Sequence, residues 1–269
     1  MSLSDSNAPS TAASDLCNRA VEIWNADGTG NVLVLCEHAS NHIPARYHGL
    51  GLSADDRASH AAWDPGALAV ARGLSEALDA PLVASGVSRL VYDCNRPPEA
   101  ASAMPAKSEL IDVPGNRGLD TAAREERVRS VYAPFCEAVA QLIDARKASE
   151  QETVLITIHS FTPIYYGTHR SVEIGILHDD DTRMADAMLN ATQALPHRKI
   201  ERNEPYGPQD GVTHSLVLHG QNNGLASVMI EIRNDLLQSP QQEATMTDEL
   251  LQLLRPALTS LATKGAHHA

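Results

Sequence analysis

A chain of 269 residues, 43% of them apolar, has enough hydrophobic side chain for a large core and is too apolar for a disordered segment; its length is ordinary for one α/β enzyme domain. Its formal charge of −13 argues against a nucleic-acid backbone as partner, because neutralising phosphates takes clustered Lys and Arg. A few local arginines can still capture a small anion.

Met1–Ser14 has no basic stretch followed by an apolar one, so it reads as a flexible tail and not as a signal peptide. No run approaches the ~20 apolar residues that span a bilayer. Cys17, Cys36, Cys94 and Cys136 are scattered and form no C-x-x-C, which suits reduced thiols in the cytoplasm. The expected organisation is a tail over 1–16, one catalytic domain over 17–264 and a short tail over 265–269.

Val21–Trp24 and Val32–Cys36 flank the turn Asp27-Gly28-Thr29-Gly30 and are expected to pair as a hairpin. The unbroken apolar run of the second suits a strand buried on both faces. Leu68, Ala71, Leu74 and Leu78 recur at helical spacing. Pro81–Ala84 and Leu90-Val91-Tyr92 read as strands. The proline-rich segment from Pro97 to Leu119 has little periodicity and is expected to be an ordered surface loop with a function. Val128, Val131, Phe135 and Leu142 mark a helix bent at Pro134. Strands are expected over Val154–Ile158, Val172–Leu177 and Val228–Ile232, and helices around Met184–Leu195 and Glu243–Leu261. Apolar runs alternating with amphipathic segments predict an α/β fold, βα units around a mainly parallel sheet.

Four polar clusters stand at the ends of these strands, where open α/β sheets bind ligands. Glu37-His38-Ala39-Ser40-Asn41-His42 follows the second strand. A histidine there can give one ring nitrogen to a metal and the other to a hydrogen-bond acceptor. Asp64, ahead of Pro65-Gly66, is either a helix N-cap or a third metal ligand. His60 reads as a surface residue ahead of the alternative, a proton carrier. Arg89, Asn95 and Arg96 surround the Leu90–Tyr92 segment, and an arginine fork there suits a substrate carboxylate. His159 ends an apolar strand, and Glu231 interrupts another, where a carboxylate is costly to bury unless a metal-bound water or an arginine partners it.

Together these segments resemble the N-formylglutamate amidohydrolase family: Cys36–Asn41, Asp64–Ala67, Ser88-Arg89-Leu90 with Asp93–Arg96, Asn203–Tyr206 and Glu231–Leu236, in order along the chain. A wider likeness links Ile158–Phe161, Glu231–Arg233 and Asn95-Arg96 to zinc carboxypeptidases. The chain departs from those in its first ligand pair, because Asn41 stands where they carry a glutamate. The resemblance implies a phosphorylase/hydrolase-like α/β fold, a three-layer sandwich with a mixed, mainly parallel sheet, and hydrolysis of N-formyl-L-glutamate or a related N-acyl amino acid. It implies one zinc, or another divalent ion, on His38, His159 and a third ligand, with Asp64 ahead of Asn41 and Glu37. It further implies Glu231 as general base, Arg96 in a catalytic role, and Arg89, Asn95, Arg96, Arg170, Tyr206 and Arg233 as substrate contacts. The alternatives are a carboxypeptidase-like peptidase or amidase on the same scaffold, or a metal- or ligand-binding protein without turnover.

Overall fold

The structure, a computed structural model, describes residues 20–265. The expected N-terminal tail, Cys17 and residues 266–269 lie outside the described residues, while Gly265 still belongs to the last helix.

Seven strands form one sheet: β1 (Val21–Trp24), β2 (Val32–Cys36), β3 (Leu82–Ser85), β6 (Val154–Phe161), β9 (Ile174–Leu177), β10 (Ile200–Arg202) and β11 (Ala226–Arg233). Their order across the sheet is β1-β3-β2-β6-β11-β9-β10. Strands β3, β2, β6 and β11 run parallel; β1 is antiparallel to β3, β9 is antiparallel to β11, and β10 is parallel to β9. Two small ribbons lie outside the sheet. One joins β4 (Lys107–Ser108) to β5 (Ile111–Asp112), the other β7 (Ile164–Tyr165) to β8 (Thr168–His169).

Helices cover both faces. They are α1 (Ala54–Ala58), α2 (Ala67–Ala77), α3 (Thr121–Arg127), α4 (Ala133–Ala148), α5 (Arg183–Leu189) and α6 (Pro240–Gly265). Side chains along a strand alternate between faces, so β2 sends Val32, Val34 and Cys36 into one core and Leu33 and Leu35 into the other. The first core packs against α2, α5 and α6, the second against α4 and the Leu90–Cys94 segment. No described helix is long and apolar enough to cross a membrane.

Several local expectations need correction. β1 does not pair with β2; it lies along β3, Val21 opposite Ser85, at the sheet edge. Leu90-Val91-Tyr92 is a buried turn and not a strand: Val91 N bonds Ser88 O and Leu90 N bonds the Ser88 hydroxyl, which uses locally the backbone groups a strand would offer to a neighbour. The Pro97–Leu119 segment is more than a surface loop, since it forms the β4–β5 ribbon and buries Ala103, Met104 and Val113. In place of the expected bend at Pro134, a π turn over Val128–Tyr132 joins α3 to α4, and Pro134 stands in the first turn of α4. The helix expected to reach Leu195 stops at Leu189.

Candidate active site

Strand β2 leaves the sheet through Glu37 and His38, both buried. The parallel neighbour β6 carries His159, and β11 places Glu231 directly in register with it. Residues paired this way project from the same side of the sheet. Here that side is the one to which Leu155 and Met229 belong, while Ile158 and Ile230 fill the opposite core. The strand pleat therefore turns an imidazole and a carboxylate toward one space at the carboxyl end of the parallel strands.

Asp64 arrives from the turn before α2. Gly66 there has φ of 81°, and a Cβ on it would lie 2.4 Å from Leu237 Cβ, so only glycine makes this turn. The Asp64 side chain caps no helix. Its Oδ2 lies 3.2 Å from His38 Nδ1 and 2.9 Å from His159 Nδ1, and the two Nδ1 atoms are 3.1 Å apart. Ser160 N donates to the same oxygen at 3.3 Å. Of the three candidates for a third ligand, Asp64 completes this triangle. Asn41 is exposed and Glu37 stands behind His159.

The outer edges of both rings meet carboxylates. His38 Nε2 is 2.7 Å from Asp93 Oδ1, and His159 Nε2 is at ion-pair distance, 3.2 Å, from Glu37 Oε2. Asp93 thus selects the His38 tautomer whose Nδ1 lone pair faces inward. Arg89 bridges the acids, Nη1 to Asp64 Oδ1 at 3.2 Å and Nη2 to Asp93 Oδ2 at 3.1 Å. Two imidazoles and a carboxylate are donors that zinc accepts, and donors around a tetrahedral ion with bonds of roughly 2.0–2.2 Å stand about 3.3–3.6 Å apart. The observed spacing of 2.9–3.2 Å is a few tenths of an ångström tighter than such an ion sets.

Burial alone lowers the His159 imidazole, but Glu37 and Asp64 outweigh it and hold its pKa well above the ordinary value. Burial raises the carboxyl of Asp64, yet His38, His159 and Arg89 more than reverse that and keep it ionised. Glu231 goes the other way. Burial dominates, opposed by His159 and reinforced by Asp64, and its pKa rises to about 7.

A cavity of about 580 Å³ opens over these groups. Arg96 and Arg170 line it without an ion-pair partner among the described residues. The Arg96 side chain donates only to Asn95 O, at 2.8 Å, and that of Arg170 only to the Tyr206 hydroxyl, at 2.7 Å. The Arg170 guanidinium lies over Tyr165 at 4.2 Å and Tyr206 at 4.6 Å from the ring centroids, which fixes its position.

Other expected contacts sit differently. Asn95 borders the cavity, but its amide is used at both ends, donating to Val212 O at 2.6 Å and accepting from Ser215 N at 2.9 Å. Arg89 is committed to Asp64 and Asp93. Arg233 does not line the cavity. At the end of β11 its guanidinium turns to Asp235, 2.8 Å away, and to the carbonyl of Arg170, 3.2 Å away, bracing the segment that carries Arg170. His60, expected at the surface, lines the cavity and meets Glu109 at 2.8 Å. Glu109 also accepts from Tyr166 N at 3.0 Å and so joins the two ribbons. Neither residue belongs to a periodic element, and the only sequence signal for Glu109 was its place in a long segment with no other assignment.

The N-formylglutamate amidohydrolase family model matches residues 30–238. The crystal structure of gene product Atu2144 from Agrobacterium tumefaciens is 54% identical, with a TM-score of 0.90 over 92% of this chain and 98% of that one. The crystal structure of N-formylglutamate amidohydrolase from Ralstonia eutropha JMP134 is 17% identical, with a TM-score of 0.66 over 89% of this chain and 97% of that one, a likeness of fold alone. Comparison with curated proteins gives no match. Because the family model spans well over half of the residues and its motifs converge on one cavity, this chain belongs to the N-formylglutamate amidohydrolase family.

Proposed function

We propose that the protein hydrolyses the amide bond of a small N-acyl amino dicarboxylate, with N-formyl-L-glutamate as the first choice, in a single catalytic domain. The observation that carries this reading is the pair of cavity arginines, Arg96 and Arg170, without ion-pair partners among the described residues, beside the His38–Asp64–His159 triangle and Glu231. A dianion brings two carboxylates, and two guanidinium groups free of acidic partners are what it requires.

Zinc is the ion we assign to His38, Asp64 and His159. Bound there, it would supply a water of lowered pKa and a Lewis acid. The chain's own residues do the rest. Asp93 and Glu37 hold the two imidazoles, and Arg89 balances the acids that surround them. Glu231, buried and raised toward neutral pH, takes the proton from the attacking water. It returns that proton to the nitrogen as the C–N bond breaks, giving formate and the free amino acid. Arg96 and Arg170 fix the two carboxylates so that the amide lies between Glu231 and the triangle.

Kinetics on a panel of N-formyl amino acids, N-acetyl-L-glutamate and short peptides test this reading. N-formyl or N-acetyl dicarboxylates are expected to give the highest kcat/KM, and Glu231→Gln to keep its metal while losing about 10²- to 10⁴-fold in kcat. Turnover of peptides alone would assign a peptidase on the same scaffold, and bound metal with no turnover of any member would make it a binding protein.

A further inference from the structure

With Arg89 held by Asp64 and Asp93, and Arg96 and Arg170 facing substrate carboxylates, none of these arginines is left to donate a hydrogen bond to the acyl oxygen. That oxygen gains negative charge when water adds. Tyr206 is placed for this. Gly175 on β9 is the register partner of Glu231, and a Cβ built on it would lie on the Glu204 carbonyl. Paired residues on adjacent strands project from the same face, so the Glu204–Tyr206 backbone crosses beside Glu231 on the cavity side. The Tyr206 ring is seated on the small apolar cluster of Leu177, Val212, Leu216 and Met229.

The proton of its hydroxyl has a defined direction. A guanidinium can only donate, so at 2.7 Å from Arg170 Nη1 the Tyr206 oxygen is the acceptor. Its own O–H must then point elsewhere, and among the described residues it has no acceptor. Burial and the neighbouring Glu231 push the phenol up to about 12, which keeps that proton in place at neutral pH.

We infer that Tyr206 is a catalytic residue whose hydroxyl donates a hydrogen bond to the acyl oxygen of the bound amide, with Arg170 as the positioning residue that fixes the direction of the donor. This rests on the amidohydrolase reading above. Water adds to the acyl carbon while its proton passes to Glu231. The C=O electron pair moves onto oxygen, where the Tyr206 hydrogen bond strengthens without proton transfer. The pair then returns, the C–N bond breaks, and Glu231 gives its proton to nitrogen.

The test is Tyr206→Phe in the metal-loaded enzyme. The expected result is a loss of about 10²-fold in kcat with KM changed by less than about threefold. A second measurement is the affinity for a phosphonate analogue with tetrahedral phosphorus at the acyl carbon. That affinity should fall at least tenfold, while affinity for free glutamate stays level. An unchanged kcat, or a change confined to KM, would overturn the role. If the wild-type enzyme itself turns over no N-acyl substrate, the amidohydrolase reading fails, and the analogue decides for Tyr206 on its own: equal affinity in both proteins overturns it.

Discussion

Glu231 and His159 stand in register on adjacent parallel strands, β11 and β6, with their side chains on the same face of the sheet. The proposed base and one imidazole of the His38–Asp64–His159 group thus sit on two neighbouring strands buried throughout most of their length and not on loops. A rigid pair of this kind would give the proposed base a fixed distance to an ion held by that group.

That same burial has a stability consequence. The Glu231 carboxyl rises from an ordinary 4.5 to about 7 in the folded chain. Between those values the unfolded chain has lost the proton and the folded chain still holds it, so stability falls as pH rises through this window. Over 2–3 pH units the effect is on the order of 3 kcal/mol. Glu231→Gln cannot titrate. In metal-stripped protein its Tm advantage over wild type should therefore be larger at pH 8 than at pH 5. A difference that stays flat with pH would show that burial does not raise Glu231.

The two arginines predict a selectivity pattern. Removing a charge-assisted contact costs about 1.5–3 kcal/mol, roughly ten- to hundredfold in kcat/KM. Arg96→Met and Arg170→Met should both lower kcat/KM for N-formyl-L-glutamate. One of them, whichever meets the side-chain carboxylate, should also lose the preference for N-formyl-L-glutamate over N-formyl-L-norleucine. If neither variant alters that preference, the cavity does not read two carboxylates.

Gly175→Ala probes how the Tyr206 segment is seated. The new methyl would collide with the Glu204 carbonyl, and overpacking of this kind costs about 1–3 kcal/mol. The variant should fold with a lowered Tm and lose kcat more than metal content. Wild-type kcat in a fully folded variant would detach the segment from the chemistry.

The sequence made the strand ends legible because a buried strand leaves a strong trace. The runs before His38, His159 and Glu231 are almost wholly apolar, so a polar residue closing or interrupting them stands out. Which strands are neighbours left no such trace. The Val21–Trp24 run looks like half of a hairpin locally, yet its edge position along β3 is decided by the whole sheet. Leu90–Tyr92 has strand composition but spends its backbone groups on Ser88, a choice set by tertiary burial. Direction was equally hidden. Nothing in the order Arg89, Asn95, Arg96 says that the first is consumed by two aspartates, the second by backbone groups of residues 212–215, and that the third has no acidic partner among the described residues. Glu109 and His60 meet through a segment with no period at all, where sequence spacing carries no spatial information.

Metal content measured by elemental analysis reaches the centre of the proposal most directly. Wild-type protein should hold one divalent ion per chain after dialysis, and His159→Ala and Asp64→Ala should each hold far less while remaining folded by circular dichroism. Retention of one tightly bound ion per chain by His159→Ala would contradict a centre built on the His38–Asp64–His159 triangle.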